Sequence, residues 1–189
     1  SIYVPDGGYK NFGWDNSPPE LEYFKQLFRV SKNQIIWGAN YFDYPMAGGM
    51  IIWDKCNDGS DQSDAEIAFN SLTRRVDIFR YMWRGMFQGK SIAEGTVQQG
   101  NKKLNEKRIH PTQKPVNLYR WICQKYLQKG MMVLDTHVGS ASSLIAYEEY
   151  GLEYVGYEIN KDYYDSAQKR LNEFRSQLTL FDLEMEEHK

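Results

Sequence analysis

The feature that most constrains this chain of 189 residues is the segment 131–158, MMVLDTHVGSASSLIAYEEYGLEYVGYE. Its apolar start, Met131–Leu134, predicts a short buried strand, and four small residues at 139–142 let the backbone turn tightly after it. A helix pattern follows and stops near Gly151, because glycine is the residue that most often ends a helix. A second short run, Tyr154–Tyr157, predicts another strand, so we expect a βαβ unit.

Acidic residues stand at the carboxyl ends of both predicted strands. Asp135 follows the first strand and Glu158 the second, close to the spacing of roughly 20 residues with which nucleotide folds bring an acid to ribose hydroxyls. The helix after the turn would offer free N–H groups to an anionic part of the same ligand. The pattern allows a dinucleotide or S-adenosylmethionine, although the turn lacks the G-x-G-x-x-G spacing of NAD sites. It also allows an ordinary βαβ crossover in which both acids are solvated.

A second motif lies just upstream, where the residues at 110–115 read His-Pro-Thr-Gln-Lys-Pro and open a predicted helix. Together with the loop Leu134–Ala141, it resembles the amino-group DNA methyltransferases, which methylate adenine N6 or cytosine N4. That family has a His-Pro-Thr-x-Lys-Pro segment followed by a Leu-Asp-Pro-Phe-x-Gly-Ser-Gly loop. Here Thr136 and His137 replace Pro and Phe, and Ala141 replaces the last Gly.

The resemblance implies an α/β fold with a doubly wound, mostly parallel sheet of the S-adenosylmethionine-dependent methyltransferase (Rossmann-like) type. We expect a single domain over 1–189 whose halves are permuted. A target-base half at 1–84 would precede a cofactor half at 109–175. The stretch 85–108 would form a loop with a reduced target-recognition region, and 176–189 would form a tail.

The resemblance also implies S-adenosylmethionine as the cofactor and assigns residues to it. The side chain of Asp135 and the backbone at Gly139 and Ser140 would lie near the methionine part. Glu158 would accept hydrogen bonds from the ribose, and Ile159 would flank the adenine. A cation of the upstream motif would face the cofactor carboxylate. The residues expected at the cofactor are His110, Thr112, Lys114, Asp135, Thr136, His137, Gly139, Ser140, Glu158 and Ile159.

The target base is expected at strand ends in the first half, because ligands of open α/β sheets bind outside the carboxyl ends of the strands. The predicted strands there are Gln34–Trp37, Met50–Trp53, Glu66–Phe69 and Val76–Trp83. The residues expected to line the base pocket are Trp37, Asn40, Tyr41, Trp53 and Lys55, although strand-end aromatics are often simply core. Four basic side chains could contact DNA phosphates or could be solvated: Lys102, Lys103, Lys107 and Arg108.

The catalytic tetrapeptide of the family, Asp/Asn/Ser-Pro-Pro-Tyr/Phe/Trp, is incomplete in this chain. Residues Ser17–Glu20 match its first three positions, but they are better explained as a helix start with a Ser cap and Pro in the first turn. The apolar face of that helix would be Leu21, Phe24, Leu27 and Phe28. The family order places the tetrapeptide upstream of Ser1, so we expect the parent enzyme to continue before this chain.

The implied function is a site-specific, S-adenosylmethionine-dependent DNA methyltransferase acting on adenine N6. Alternatives are methylation of cytosine N4, methylation of RNA or a free base, and a non-catalytic module that binds S-adenosylmethionine or DNA. We expect DNA as partner and no metal, since Cys56, Cys123 and three distant histidines share no ligand spacing. With no membrane-spanning run, a cytoplasmic protein of bacterial or phage-encoded type is expected. The net charge of −2 requires any DNA footprint to be a local patch.

The last part of the chain predicts one more helix and a possible partner site. Asn160 is expected to cap a helix whose core face is formed by Tyr164, Ala167, Leu171 and Phe174. The following peptide resembles the Gln-Leu-x-Leu-Phe motif with which bacterial replication proteins bind the sliding clamp. The same peptide could instead pack on its own domain. Its expected contact residues are Gln177, Leu178, Leu180 and Phe181.

Overall fold

The residues that the computed structural model describes are 18–59, 62–84, 87–89 and 105–187, with side chains as far as 177. They fall into two compact units, the first up to Glu106 and the second from Lys107 onward. Both units combine helices and strands, which agrees with the predicted α/β class. Whether they act as the predicted target-base and cofactor halves stays a prediction. Among the described residues, no helix combines the length and apolar character that crossing a membrane requires.

The first unit contains one helix, a short 3-10 turn and six strands among its described residues. The elements are α1 Leu21–Val30, β1 Ile35–Trp37, the turn Ala39–Tyr41, β2 Gly49–Asp54, β3 Ala65–Asn70, β4 Val76–Arg80, β5 Met82–Arg84 and β6 Phe87–Gly89. The first four strands form one sheet with the order β1-β3-β2-β4, and β5 and β6 form a separate antiparallel pair.

The pairing in this sheet differs from the mostly parallel arrangement expected from the sequence. Strand β3 is antiparallel to both β1 and β2, and only β4 is parallel to β2. Strands β2 and β3 are joined by the short connection 55–64. Parallel neighbours need a crossover of about a dozen residues or more. The short return therefore makes β3 antiparallel.

The start of α1 also differs from the prediction. The helix begins at Leu21, and Glu20 is an extended N-cap residue without a side-chain capping bond. Pro18 and Pro19 precede the helix, and Pro19 disfavours helical conformation in Pro18. Only one side of the predicted apolar face is enclosed, with Phe24 buried and Leu21 exposed.

The predicted strand Val76–Trp83 is divided in two at Tyr81. The backbone N–H of Tyr81 donates to the carbonyl of Asp54, and its own carbonyl accepts from the indole N–H of Trp53. These two bonds hold Tyr81 at the carboxyl end of β2 and separate β4 from β5. The break was not visible in the sequence because the run is rich in β-branched and aromatic residues and contains no Gly or Pro.

The second unit contains the predicted βαβ segment. Its two strands are parallel neighbours, and the helix between them packs on the preceding helix. Its core is apolar and includes Cys123, Ile145, Leu152, Ala167 and Leu171. The elements are α2 Val116–Tyr126, β7 Met132–Asp135, α3 Ser142–Glu149, β8 Glu153–Gly156 and α4 Lys161–Glu187.

Strand β7 is less buried than its apolar sequence predicts. Met132 is 68% exposed and Leu134 38%, and Val155 of β8 is 43% exposed on the same side. The alternate residues Val133 and Tyr154 pack against the core of the unit. Strand β7 therefore buries one face only, whereas a continuous apolar run suggested burial on both faces.

Helix α4 begins as predicted but continues further. The side-chain oxygen of Asn160 accepts hydrogen bonds from the N–H groups of Asp162 (2.9 Å) and Tyr163 (3.1 Å), which confirms the predicted cap. Tyr164 is exposed, so the predicted core face is wrong there, and Tyr163 is buried in its place. The helix also includes residues 176–187 of the predicted tail, because no Gly or Pro interrupts it.

Candidate cofactor site

The candidate site is built on the loop at 136–141, between β7 and α3. Gly139 and Ala141 both have left-handed backbone conformations, with φ of +55° and +61°. For a residue other than glycine this conformation costs about 1–2 kcal/mol. Ala141, which stands where the family motif has its last glycine, therefore has a backbone conformation that glycine would adopt without this cost.

Glu158 connects the end of β8 to this loop. One carboxylate oxygen accepts a hydrogen bond from the N–H of Gly139 at 2.9 Å, and the other accepts from the N–H of Asn160 at 2.8 Å. The backbone of Tyr157 also bonds to Asp135 and Val138, at 2.8 and 3.0 Å. The two places that the sequence predicted to hold one ligand are thus in direct contact.

Asp135 is oriented from both sides of the loop. Its carboxylate accepts from the N–H of His137 at 3.0 Å and from the hydroxyl of Ser143 in α3 at 2.5 Å. Burial raises the pKa of the neighbouring Tyr147 phenol well above its ordinary value, and the negative charge of Asp135 adds to that rise. Tyr147 therefore stays neutral at physiological pH, and Asp135 provides a fixed acceptor at the strand end.

His110 is enclosed against the loop. Its side chain is buried, and its ring centroid lies 4.2 Å from that of Tyr163 in α4. A Cβ placed on Gly139 would lie 3.7 Å from the His110 ring, which is ordinary contact distance. The Nδ1 atom accepts from the N–H of Thr112 at 3.3 Å. His110 consequently packs beneath the loop, as a core histidine would.

Two polar residues that the sequence reasoning missed hold this arrangement. Gln113 is buried, accepts from the N–H of Ile109 at 2.8 Å and donates to the carbonyl of Lys107 at 3.1 Å. Arg170 of α4 donates to the carbonyl of Ser140 at 2.7 Å. Gln113 occupies the variable position of the upstream motif, and Arg170 follows the motifs in an ordinary helix sequence, so neither carried a signal.

The other predicted cofactor residues lie around the same strand ends with varied exposure. The hydroxyl of Thr136 lies 3.0 Å from Nδ1 of the exposed His137. Ile159 is 91% exposed, so its side chain is open to a ligand. Thr112 is exposed and Lys114 half-buried. Their predicted contacts with a cofactor stay predictions.

The residues predicted for the base pocket are in the first unit and have different surroundings. Trp53 is 1% exposed and donates its indole N–H to Tyr81, so the structure places it in the core and not on an open wall. The ammonium of Lys55 lies 2.8 Å from the carboxylate of Glu66. Trp37 is half-buried, whereas Asn40 and Tyr41 are exposed in the turn after β1.

The predicted partner contacts are only partly visible. Lys107 is exposed and Arg108 half-buried, whereas Lys102 and Lys103 lie outside the described residues. The clamp-like peptide is helical in its backbone, and its side chains beyond Gln177 are outside the described set. DNA and clamp contacts by these residues stay predictions. Within the described ranges, no group of three or more His, Cys, Asp or Glu is arranged to hold a metal ion.

The fold is of the α/β class, and the acidic and glycine residues predicted to bind a nucleoside lie together at the carboxyl ends of β7 and β8. Residues 52–169 match the DNA methylase family N6_N4_Mtase, and the chain belongs to this family. Membership confirms the resemblance predicted from the His-Pro-Thr segment and the 136–141 loop. It also supports S-adenosylmethionine as the methyl donor that the resemblance implied.

Individual relatives agree with this assignment. The Type II methyltransferase M2.LlaDCHI of Lactococcus lactis subsp. cremoris is 30% identical over 169 residues, covering 86% of this chain and 50% of that protein. M2.DpnII of Streptococcus pneumoniae is 24% identical over 168 residues, with 85% and 50% covered. The chain spans about half the length of both relatives.

One solved structure supports the fold. The crystal structure of M1.HpyAVI superposes with a TM-score of 0.50 at 20% identity, covering 82% of this chain and 83% of that chain. At this identity the likeness concerns the fold alone. It confirms the predicted α/β class.

Proposed function

We propose that this chain binds S-adenosylmethionine at the carboxyl ends of β7 and β8, as part of an enzyme that methylates adenine N6 in DNA. The observation that carries the proposal is the contact between Glu158 and the N–H of Gly139 at 2.9 Å. It brings the acid of the second strand and the glycine turn of the first to one place, which a nucleoside site requires.

The donors and acceptors present fit this cofactor. A carboxylate offers about four lone-pair positions, and Glu158 uses two of them for Gly139 and Asn160. The remaining positions can accept both hydroxyls of a ribose. Helix α3 presents its N-terminal N–H groups beside the same loop, and these favour an anionic group such as the cofactor carboxylate.

S-adenosylmethionine, when bound, supplies a methyl group made electrophilic by its sulfonium. The residues of this chain would hold that methyl in place. Asp135 is fixed by His137 and Ser143 and supplies negative charge at the strand end. Glu158 would fix the ribose, and a rigid cofactor lowers the entropic cost of aligning methyl and amine. The target adenine has to leave the DNA stack to present its amine.

A second candidate is a module that binds S-adenosylmethionine without catalysis. The observation that favours it is the segment at 17–20, which matches only three positions of the catalytic tetrapeptide. In the structure Pro18 and Pro19 precede α1, which begins at Leu21. Cytosine N4 is the alternative target for an active enzyme. The activity, the DNA substrate and a cytoplasmic location of the whole protein are proposals.

Calorimetry on the 189-residue chain with S-adenosylmethionine tests the cofactor proposal. We expect saturable binding that Glu158→Ala weakens by about 10- to 100-fold, because hydrogen bonds to a charged group are lost. Glu153→Ala is the matched control, since it removes the same charge from the exposed start of β8. Absence of binding by the unaltered chain at millimolar cofactor would overturn the proposal.

Methyl transfer is tested separately. Unmethylated DNA is incubated with the full-length enzyme and labelled S-adenosylmethionine, and the nucleosides are separated after digestion. N6-methyladenine is the expected product. N4-methylcytosine would select the alternative target, and cofactor binding without any methylated nucleoside would select the non-catalytic module.

A further inference from the structure

We propose that Arg170 is a positioning residue that holds the 136–141 loop in the shape that binds the cofactor; this inference rests on the proposed function. The guanidinium Nη1 donates to the carbonyl of Ser140 at 2.7 Å and to the hydroxyl of Ser142 at 3.0 Å. One side chain of α4 thus bonds both the loop and the first residue of α3.

The contact is enclosed, so water does not readily replace it. Ser140 is 4% exposed and Ser142 2%, and their hydroxyl oxygens lie 3.0 Å apart. Arg170 itself is half-buried. A buried carbonyl that loses its donor is left without compensation for the lost hydration. The loop would therefore have to change shape if Arg170 were removed.

The backbone of the loop explains why a side chain is needed there. Gly139 and Ala141, on either side of Ser140, both have left-handed backbone conformations. Neighbouring carbonyls bond within the backbone, since Val138 accepts from Ala141 and Ala141 accepts from Ile145. For the carbonyl of Ser140 the donor is the guanidinium of Arg170.

The same face of α4 also contacts the upstream motif. Tyr163 lies two helical turns before Arg170, and residues seven apart share one side of a helix. Its ring lies 4.2 Å from the ring of His110, which packs against Gly139. Helix α4 therefore holds both predicted cofactor motifs, through Tyr163 at one point and Arg170 at the other.

The test compares Arg170→Met and Arg170→Lys with Arg175→Met. Arg175 lies on the same helix but bonds Glu148 and Tyr154 instead of the loop. Calorimetry is run with S-adenosylmethionine and with adenosine. We expect Arg170→Met to weaken S-adenosylmethionine binding by about 10- to 100-fold. Adenosine binding should weaken by less than about threefold, because Glu158 keeps its hydrogen bond from the N–H of Asn160 outside the loop. Arg170→Lys should lie between this variant and the unaltered chain, and Arg175→Met should leave both affinities unchanged.

Amide hydrogen exchange at 139–142 gives a readout that needs no ligand. We expect exchange to rise about tenfold or more in Arg170→Met and to stay unchanged in Arg175→Met. Equal exchange in Arg170→Met and the unaltered chain, or equal losses of affinity in the Arg170 and Arg175 variants, would overturn the inference. If the unaltered chain does not bind S-adenosylmethionine, the proposed function fails, while the exchange measurement still decides the role of Arg170.

Discussion

Gly156 of β8 lies so close to Val138 that a Cβ added at position 156 would be 2.7 Å from Cγ2 of Val138. The nearest atoms of Leu144 would be 3.4 Å away, which is tight but tolerable. The absence of a side chain at Gly156 therefore lets the loop lie directly on the strand. The atom in conflict belongs to a side chain, so a second substitution can relieve it.

We expect Gly156→Ala to lower the free energy of unfolding by about 1–3 kcal/mol through overpacking. Val138→Ala alone should cost about 1–2 kcal/mol, because half-buried methyl groups that pack on the core are removed. In the double variant the clash is absent. Its loss in free energy of unfolding should therefore be smaller than the sum of the two single losses by about 1 kcal/mol or more. Urea denaturation of the four proteins measures this, and simple additivity would contradict the packing described.

The carboxyl group of Glu148 in α3 makes the free energy of unfolding depend on pH. Burial pushes its pKa upward, but hydrogen bonds from Arg175 and Tyr154 and the charge of Arg175 outweigh burial and hold the pKa below its ordinary value of 4.5. A carboxyl with a lowered pKa stabilises the folded chain above the unfolded pKa, and this contribution is lost as pH falls through the folded pKa.

We therefore expect Glu148→Gln to cost about 1 kcal/mol at neutral pH, since the pair is partly exposed. The difference from the unaltered chain should shrink below pH about 4. In an Arg175→Gln background, Glu148→Gln should lower the free energy of unfolding by a smaller amount. Denaturation curves across pH test this, and a difference that stays constant with pH would refute it.

The two cysteines should differ in reactivity. Burial raises the pKa of the Cys123 thiol to about 12, and its side chain is fully enclosed. Burial also raises the pKa of Cys56, which is only half-buried. Because the thiolate is the reactive form, neither thiol should react as fast as a free cysteine near neutral pH.

In the folded chain we expect a thiol reagent to modify Cys56 slowly and Cys123 only after denaturant is added. Cys56→Ser and Cys123→Ser identify the modified residue by mass spectrometry. Rapid labelling of Cys123 in the folded chain would show that the core around α2 opens more readily than its packing indicates.

Ala141 offers a test of the left-handed conformation in the loop. Ala141→Gly should relieve strain of about 1–2 kcal/mol. It also removes a buried methyl group and raises the conformational entropy of the unfolded chain, and these two unfavourable effects together are of similar size to the relieved strain. We expect the melting temperature to change little. Ala141→Val should destabilise by about 2 kcal/mol or more, because a β-branched residue fits this conformation poorly. Equal stability of all three proteins would contradict the described backbone.

The sequence predicted best what is encoded locally. Asp135, Gly139 and Glu158 belong to one βαβ segment, so strand ends and turn chemistry were enough to place them together. The family resemblance rested on short motifs and is confirmed. Asn160 was recognised as a cap because capping depends on the next few residues only.

Burial and distant contacts were not predictable in the same way. Met132 and Trp53 are both apolar strand residues, yet Met132 is largely exposed and Trp53 is enclosed. The surroundings of these residues depend on which strands pair. It was not recognised from the sequence that the short connection between β2 and β3 makes these two strands antiparallel. Arg170 could not be found because an arginine on an amphipathic helix has no pattern that reveals a carbonyl in another segment.

Helix α4 has 27 residues and is therefore about 40 Å long. Tyr163, which contacts His110, and Arg170, which bonds Ser140, both lie in the first half of this helix. The bond from Arg175 to Glu148 of α3 also lies within the first 15 residues of the helix. The loop, the upstream motif and α3 are therefore all held by one end of a single helix.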